Sequence, residues 1–263
     1  MQDLKVTLIQ TPLYWQEKQA NLSMFEEKLW EIEEETDLII LPEMFNTGFS
    51  MEAEKMAEPM NLHTFKWMKQ MASQKKAVIT GSFIVNDNGD YFNRLIWMKP
   101  DGDYSVYDKR HLFRMANEDE HYTPGEKELI VELKGWKIKP LVCYDLRFPV
   151  WCRNKSNNEN ELAYDIILFV ANWPAVRVNA WDSLLTARAI ENVSYSIGVN
   201  RIGNDGNEIP HNGHSAIYDP KGNAVYFADD REVIKTISLS AEELMKFRQK
   251  FPAQLDADNF LIN

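Results

Sequence analysis

The chain has 263 residues, 44% of them hydrophobic and 26% charged, an ordinary globular composition. That length can bury roughly 70–75% of its unfolded surface in one core. Its 40 acidic residues against 29 basic ones leave a net charge of −11, which argues against a general nucleic-acid binder, since that needs a basic stripe. No apolar run reaches the roughly 18 residues of a membrane helix. Met1-Gln2-Asp3-Leu4-Lys5-Val6 lacks the regions of a secretory leader. Two cysteines make no disulfide framework, so a reducing cytoplasm is the expected location.

Leu4 to Gln10 reads as a strand. Asn21 to Glu35 carries Leu22, Phe25, Leu29 and Ile32 at helical spacing. Asp37 to Leu41 is a short continuous apolar strand, as for one buried on both faces. Leu62 to Lys75 predicts a second helix, with Phe65, Met68 and Met71 along one face. Ala77 to Asn86 and Tyr91 to Lys99 form a hairpin across Asp87-Asn88-Gly89-Asp90. Tyr104 to Lys109 is a further strand, and residues 114–127 read as a polar loop.

Leu129 to Leu133 and Trp136 to Tyr144 are paired strands, and Asn154 to Glu161 is a polar surface connection. Tyr164 to Ala171 is a strand, Asn179 to Asn192 an amphipathic helix and Ser194 to Arg201 another strand. Ser215 to Tyr218, Ala224 to Ala228 and Val233 to Leu239 are short strands. Ser240-Ala241-Glu242-Glu243 is a capping box opening a last helix. No linker and no repeat of 20–50 residues divides the chain. The expectation is one α/β domain over residues 1–263 with helices covering a β interior.

Three of these strands end in chemistry. Leu38-Ile39-Ile40-Leu41-Pro42 runs into Glu43, Ser105-Val106-Tyr107-Asp108 into Lys109, and Pro140-Leu141-Val142 into Cys143. Sites in α/β sheets are built at carboxyl ends of strands. A thiol is a poor nucleophile until something takes its proton or stabilises its charge. Glu43 can serve as the base, and Lys109 as the fixed cation beside a developing oxyanion. Each alone has a plainer reading: a buried structural cysteine, a solvated rim acid, a solvated rim lysine.

The local sequences resemble the three catalytic segments of the nitrilase superfamily of carbon–nitrogen hydrolases: Leu41-Pro42-Glu43-Met44-Phe45, Tyr107-Asp108-Lys109-Arg110-His111-Leu112-Phe113 and Leu141-Val142-Cys143-Tyr144-Asp145-Leu146-Arg147-Phe148-Pro149. Asn172-Trp173-Pro174 and Ala187-Arg188-Ala189-Ile190-Glu191-Asn192 are similar to further family elements. The resemblance is strongest to the ω-amidases, which cleave the side-chain amide of 2-oxoglutaramate and 2-oxosuccinamate. It implies a four-layer αββα sandwich, a homodimer, and no cofactor. It also implies Glu43 as general base, Lys109 as oxyanion-stabilising cation, Cys143 as nucleophile and the Tyr144 backbone N–H in the oxyanion hole.

Many members carry a second glutamate in the loop before a glycine. Glu118 and Glu120 both qualify here, and Glu118, seven residues before Gly125, has the commoner spacing. Arg177 is the candidate anchor for a substrate carboxylate, which suits a guanidinium. Phe45 and Trp173 are candidate pocket walls, and Arg147 reads as structural, paired with a nearby acid. Cys152 reads as a structural helix residue. His211 and His214 without a third ligand make a weak metal signal, so no metal is expected. His111 and His121 leave a Cys–His dyad open. The competing functions are hydrolysis of another small amide, an N-carbamoyl amine or a nitrile, and a binding protein on the same fold.

Overall fold

The computed structural model describes residues 1–156 and 161–258. Its first sheet contains β1 (Leu4–Gln10), β2 (Leu38–Ile40), β3 (Glu58–Pro59), β4 (Val78–Asp87), β5 (Asp90–Met98), β6 (Tyr104–Asp108) and β15 (Val233–Leu239). The order is β15-β1-β2-β4-β5-β6, with β3 pairing beside β4. The second sheet contains β7 (Val131–Leu133), β8 (Trp136–Val142), β9 (Ile166–Ala171), β10 (Tyr195–Asn200), β13 (Ala216–Tyr218) and β14 (Ala224–Phe227). Its order is β7-β8-β9-β10-β13-β14. Between them in sequence, β11 (Ile202–Asn204) and β12 (Pro210–Asn212) form a separate antiparallel hairpin.

The two sheets share one plan. Each opens with an antiparallel neighbour, continues through three parallel strands and closes with two antiparallel ones. The central strands β2 and β9 are buried throughout, as the continuous apolar runs require.

Period-two alternation sorts the first sheet's side chains onto two faces. Ile39, Ile79, Phe83 and Ile96 pack against Phe25 and Leu29 of α1 (Lys18–Trp30) and Met68 and Met71 of α3 (His63–Lys75). Leu38, Ile40, Leu95 and Trp97 face the other way. They join Leu141, Leu168 and Ile197 of the second sheet in a cluster that continues to Trp181 and Leu185 of α6 (Val178–Asn192). The result is helix, sheet, sheet, helix: the four-layer α/β sandwich that the resemblance implied.

Several boundaries differ from the sequence reading. Helix α1 stops at Trp30 rather than Glu35; carrying it on would stack Glu33, Glu34 and Glu35 at the negative end of the helix dipole. The expected loop at 114–127 holds a 3₁₀ turn, Arg114–Ala116, and the short helix α4 (Glu118–His121). The pivot between them is Asn117, at φ +57°, a left-handed value that asparagine tolerates. Asn154 is not on the surface: it is buried, donating Nδ2 to the carbonyls of Tyr164 and Asn192. Residues 157–160 of that expected connection lie outside the described residues. The helix Ala241–Lys250 begins where the capping pattern put it, Ser240 Oγ accepting the Glu243 N–H at 3.3 Å. No helix among the described residues is long and apolar enough to cross a membrane.

Candidate active site

The carboxyl ends of β2, β6 and β8 converge, and they bring Glu43, Lys109 and Cys143 together. Glu43 and Lys109 are both buried, with Lys109 Nζ 2.9 Å from Glu43 Oε1. Glu118 is equally buried and takes the same ammonium on both oxygens, at 2.9 and 2.8 Å. Glu120, the other candidate, is exposed. Asn93 donates to Glu43 Oε1 at 2.8 Å and to Glu118 Oε1 at 3.4 Å. The Asn172 backbone N–H donates to Glu43 Oε2 at 2.9 Å, and its side-chain amide donates to the Glu43 carbonyl. Asn93 escaped the sequence reading because a polar residue inside a strand carries no motif. Asn172 was visible only as part of Asn172-Trp173-Pro174.

The charges of this group explain its protonation. Burial lowers the pKa of Lys109, but the carboxylates of Glu118 and Glu43 outweigh it and raise it. Burial raises the pKa of Glu118 and the Glu43 charge adds to it, while Lys109 opposes both. Cys143 lies well above its ordinary range. Burial is the first cause and the adjacent Glu43 carboxylate the second, with Lys109 pulling the other way. The thiol is therefore neutral in the free protein, and a base stands beside it.

Cys143 is not inside the strand expected from Trp136 to Tyr144. Strand β8 ends at Val142, and Cys143 opens a 3₁₀ turn running to Arg147. Its φ is +46°, a conformation that costs a residue with a side chain about 1–3 kcal/mol. This elbow lifts the sulfur to the cavity wall, where Cys143 is 8% exposed. Tyr144 follows it, and the first N–H groups of a helical turn have no partner within the turn.

Behind the elbow, the buried Asp145 accepts from the Val142 N–H at 3.1 Å and from Tyr107 Oη at 2.7 Å, both on Oδ2. Its Oδ1 takes the His111 N–H at 3.0 Å and meets His111 Nδ1 at 2.7 Å. His111 also stacks flat on Phe148, with centroids 3.7 Å apart. It thus serves Asp145 rather than forming a Cys–His dyad, and His121 is exposed on α4.

A cavity of about 420 Å³ opens over the thiol. Tyr144, Trp173 and Arg177 line it, as does Lys109. Phe45 does not. The left-handed Met44, at φ +42°, reverses the chain after Glu43. The Phe45 ring therefore packs outward against Phe25, Trp67 and Phe83 in the layer between sheet and helices. Phe49 takes its place, with Lys109 Nζ 5.1 Å from its ring centroid.

Arg147 also lines the cavity, and it corrects the expectation of a structural ion pair. Its guanidinium lies over Trp173 at 5.0 Å, with no carboxylate in ion-pair range among the described residues. Arg177 lies over Phe113 at 5.1 Å and is likewise without an acid. Cys152 sits in the short helix Pro149–Cys152, buried, its thiol pushed up to about 12 chiefly by burial.

Trp15 and the tip of the β11–β12 hairpin add further wall, which no sequence motif marked. His211, on β12, is buried at the wall; burial and then the nearby Arg201 charge lower its pKa to about 4. His214 is turned to Asp182, 2.9 Å away. No group of three metal-ligating side chains exists among the described residues.

The sequence model of the carbon-nitrogen hydrolase family matches residues 5–247. The chain is 46% identical over 261 residues to the Omega-amidase YafV of Escherichia coli, covering 99% of both chains. It is 31% identical over 220 residues to the 2-oxoglutaramate amidase of Bacillus subtilis, covering 82% of this chain and 83% of that one. Among solved structures it matches a CN-hydrolase superfamily protein of Xanthomonas campestris that carries an arsenic adduct in its active site. That match has a TM-score of 0.98 at 44% identity and covers all of both chains.

Proposed function

The chain belongs to the carbon–nitrogen hydrolase family, and from that membership we propose that it is an ω-amidase. Its substrates are the ω-amides of small 2-oxo acids, 2-oxoglutaramate and 2-oxosuccinamate, and its products the dicarboxylate and ammonia. The observation that carries this reading is the Glu43–Lys109–Cys143 group, with Lys109 and Cys143 at the cavity wall and Glu43 bonded behind Lys109, in a chain 46% identical to an ω-amidase over nearly its whole length.

The chemistry follows from the resting charges. Cys143 is neutral, so attack on the amide carbon is coupled to transfer of its proton to Glu43. The carbonyl oxygen becomes an oxyanion, which the Lys109 ammonium and the Tyr144 N–H stabilise. Glu43 then returns the proton to the amide nitrogen, the C–N bond breaks, ammonia leaves and a thioester remains. Water deprotonated by Glu43 attacks the thioester. The acid is released and the sulfur takes back its proton. Glu118 holds Lys109 charged and in place. Trp173 forms a wall of the acyl pocket, and Arg177 anchors the substrate carboxylate, with Arg147 a second guanidinium in the same cavity. These steps need no cofactor.

The same reading takes residues 1–263 as one hydrolase domain. It takes the working form as a homodimer, for which the exposed Val150, Ile190, Val225 and Phe227 offer apolar contact. It sets the enzyme in the cytoplasm, because the mechanism needs Cys143 as the free thiol found here. The test is ammonia release from 2-oxoglutaramate compared with glutamine, asparagine and simple nitriles. Faster turnover of a nitrile than of the half-amide would move the chain to a different activity within the family.

A further inference from the structure

We propose that Asp145 is a positioning residue that sets the place of Cys143 relative to Lys109. The role rests on the reading of those two residues as nucleophile and cation. Asp145 is fully buried, and its carboxylate bonds to Tyr107, His111 and Val142 rather than to Glu43, Lys109 or Glu118. A carboxylate in that position costs free energy unless donors surround it. The donors here come from two segments, and their order along the chain is the point. Tyr107 lies two residues before Lys109 and His111 two residues after it, while Val142 immediately precedes Cys143. One carboxylate therefore ties both flanks of the lysine to the root of the nucleophile elbow.

The division between its two oxygens makes the tie directional. Oδ1 takes only the His111 groups, and Oδ2 takes Tyr107 and the Val142 N–H. A carboxylate accepts on both oxygens, and it fixes the proton of His111 on Nδ1. An asparagine accepts on one oxygen only. Whichever way its amide turns, an NH₂ group faces a backbone N–H, either that of His111 or that of Val142. One end of the tie then opens. The Tyr107 hydroxyl is a weaker member, because the main-chain N–H of His111 still holds the Lys109 segment without it.

Asp145→Asn and Tyr107→Phe separate positioning from stability, since both disturb the same buried carboxylate. In ammonia release from 2-oxoglutaramate, Asp145→Asn should lower kcat by about 10- to 100-fold with KM within about threefold, the cost of a displaced catalytic group. Tyr107→Phe should keep kcat within about threefold while its melting temperature falls as well. Alkylation of Cys143 by iodoacetamide, followed by mass, needs no substrate. It should slow about tenfold or more in Asp145→Asn and stay near wild type in Tyr107→Phe.

If the asparagine variant does not fold, Asp145→Glu keeps both acceptors a methylene farther out and should show the same loss of kcat and alkylation. The proposal is overturned if the folded Asp145 variant keeps both rates within about threefold of wild type, or if Tyr107→Phe loses as much as it does. A wild type that spares 2-oxoglutaramate would refute the proposed substrate, and the alkylation comparison would still decide the role of Asp145.

Discussion

A neutral thiol beside Glu43 is a reactive pair only when something electrophilic arrives between them. On this reading Cys143→Ala removes the nucleophile from a small side chain, so turnover should vanish while the circular dichroism spectrum stays native. Turnover near the wild-type rate would end the covalent mechanism. Glu43→Gln keeps the shape and the contacts to Asn93 or Lys109 in part, but removes the proton acceptor for both half-reactions. The expected loss in kcat is on the order of 10²–10⁴-fold, the usual share of a general base. Steady-state ammonia assays measure it, and a loss below about threefold would make Glu43 a structural acid.

Arg177 is one of two cavity guanidiniums, with Arg147, that have no carboxylate in ion-pair range among the described residues. Arg177→Ala should raise KM for 2-oxoglutaramate about 10- to 150-fold, the worth of a charge-assisted contact, and spare a short uncharged amide. If Arg147→Ala shows that pattern instead, the anchor lies on the nucleophile turn and Arg177 only flanks the mouth.

Among the elements, the hairpin of β11 and β12 adds a wall that no residue pattern announced. Its strands are short, and Asp205 to Ile209 reads as a plain polar turn. The parallel strands were legible because continuous apolar runs such as Leu38-Ile39-Ile40 and Ile166 to Ala171 have no solvent-facing alternative. The candidate site was legible where an ionisable residue follows a strand, as at Glu43 and Lys109. Phe45 was misplaced because one left-handed residue, Met44, reverses which face the next ring takes. Local patterns do not record such a turn when the residue is not glycine.

The hairpin also has its own pH response. His211 is buried, and its pKa falls from 6.5 to about 4 in the folded state through burial first and Arg201 second. Between those values the unfolded chain binds the extra proton and the folded one does not. Stability is therefore present above about pH 6.5 and lost as the pH falls toward about 4. The lost contribution is on the order of 3 kcal/mol. Urea unfolding across that window should show a shallower decline for His211→Gln than for wild type; parallel declines would mean other groups dominate acid unfolding.

At the scale of the whole molecule, the repeated plan of the two sheets is a repeat of strand directions and not of residues. Where β2 runs into Leu41-Pro42-Glu43, its counterpart β9 runs into Asn172-Trp173-Pro174. The repeating unit spans half the chain, and each copy carries different chemistry, so a search for periods of 20–50 residues passes over it. Glu43 comes from one copy and Cys143 from the other, and the Asn172 N–H closes on the Glu43 carboxylate between them.

The copies differ in how each obtains its first strand. The second sheet takes β7 from just upstream of β8, so that edge can form as soon as a short hairpin is made. The first sheet takes β15 from far downstream, pairing Leu4 with Leu239 and Gln10 with Val233. During synthesis β1 emerges well before β15 and must wait for it. Until then β1 presents an unpaired apolar edge of the kind that recruits other chains. Its partner brings the largest loop closure in the fold. A chain that stops before Val233 lacks the strand that covers β1 and leaves that margin of the first sheet open.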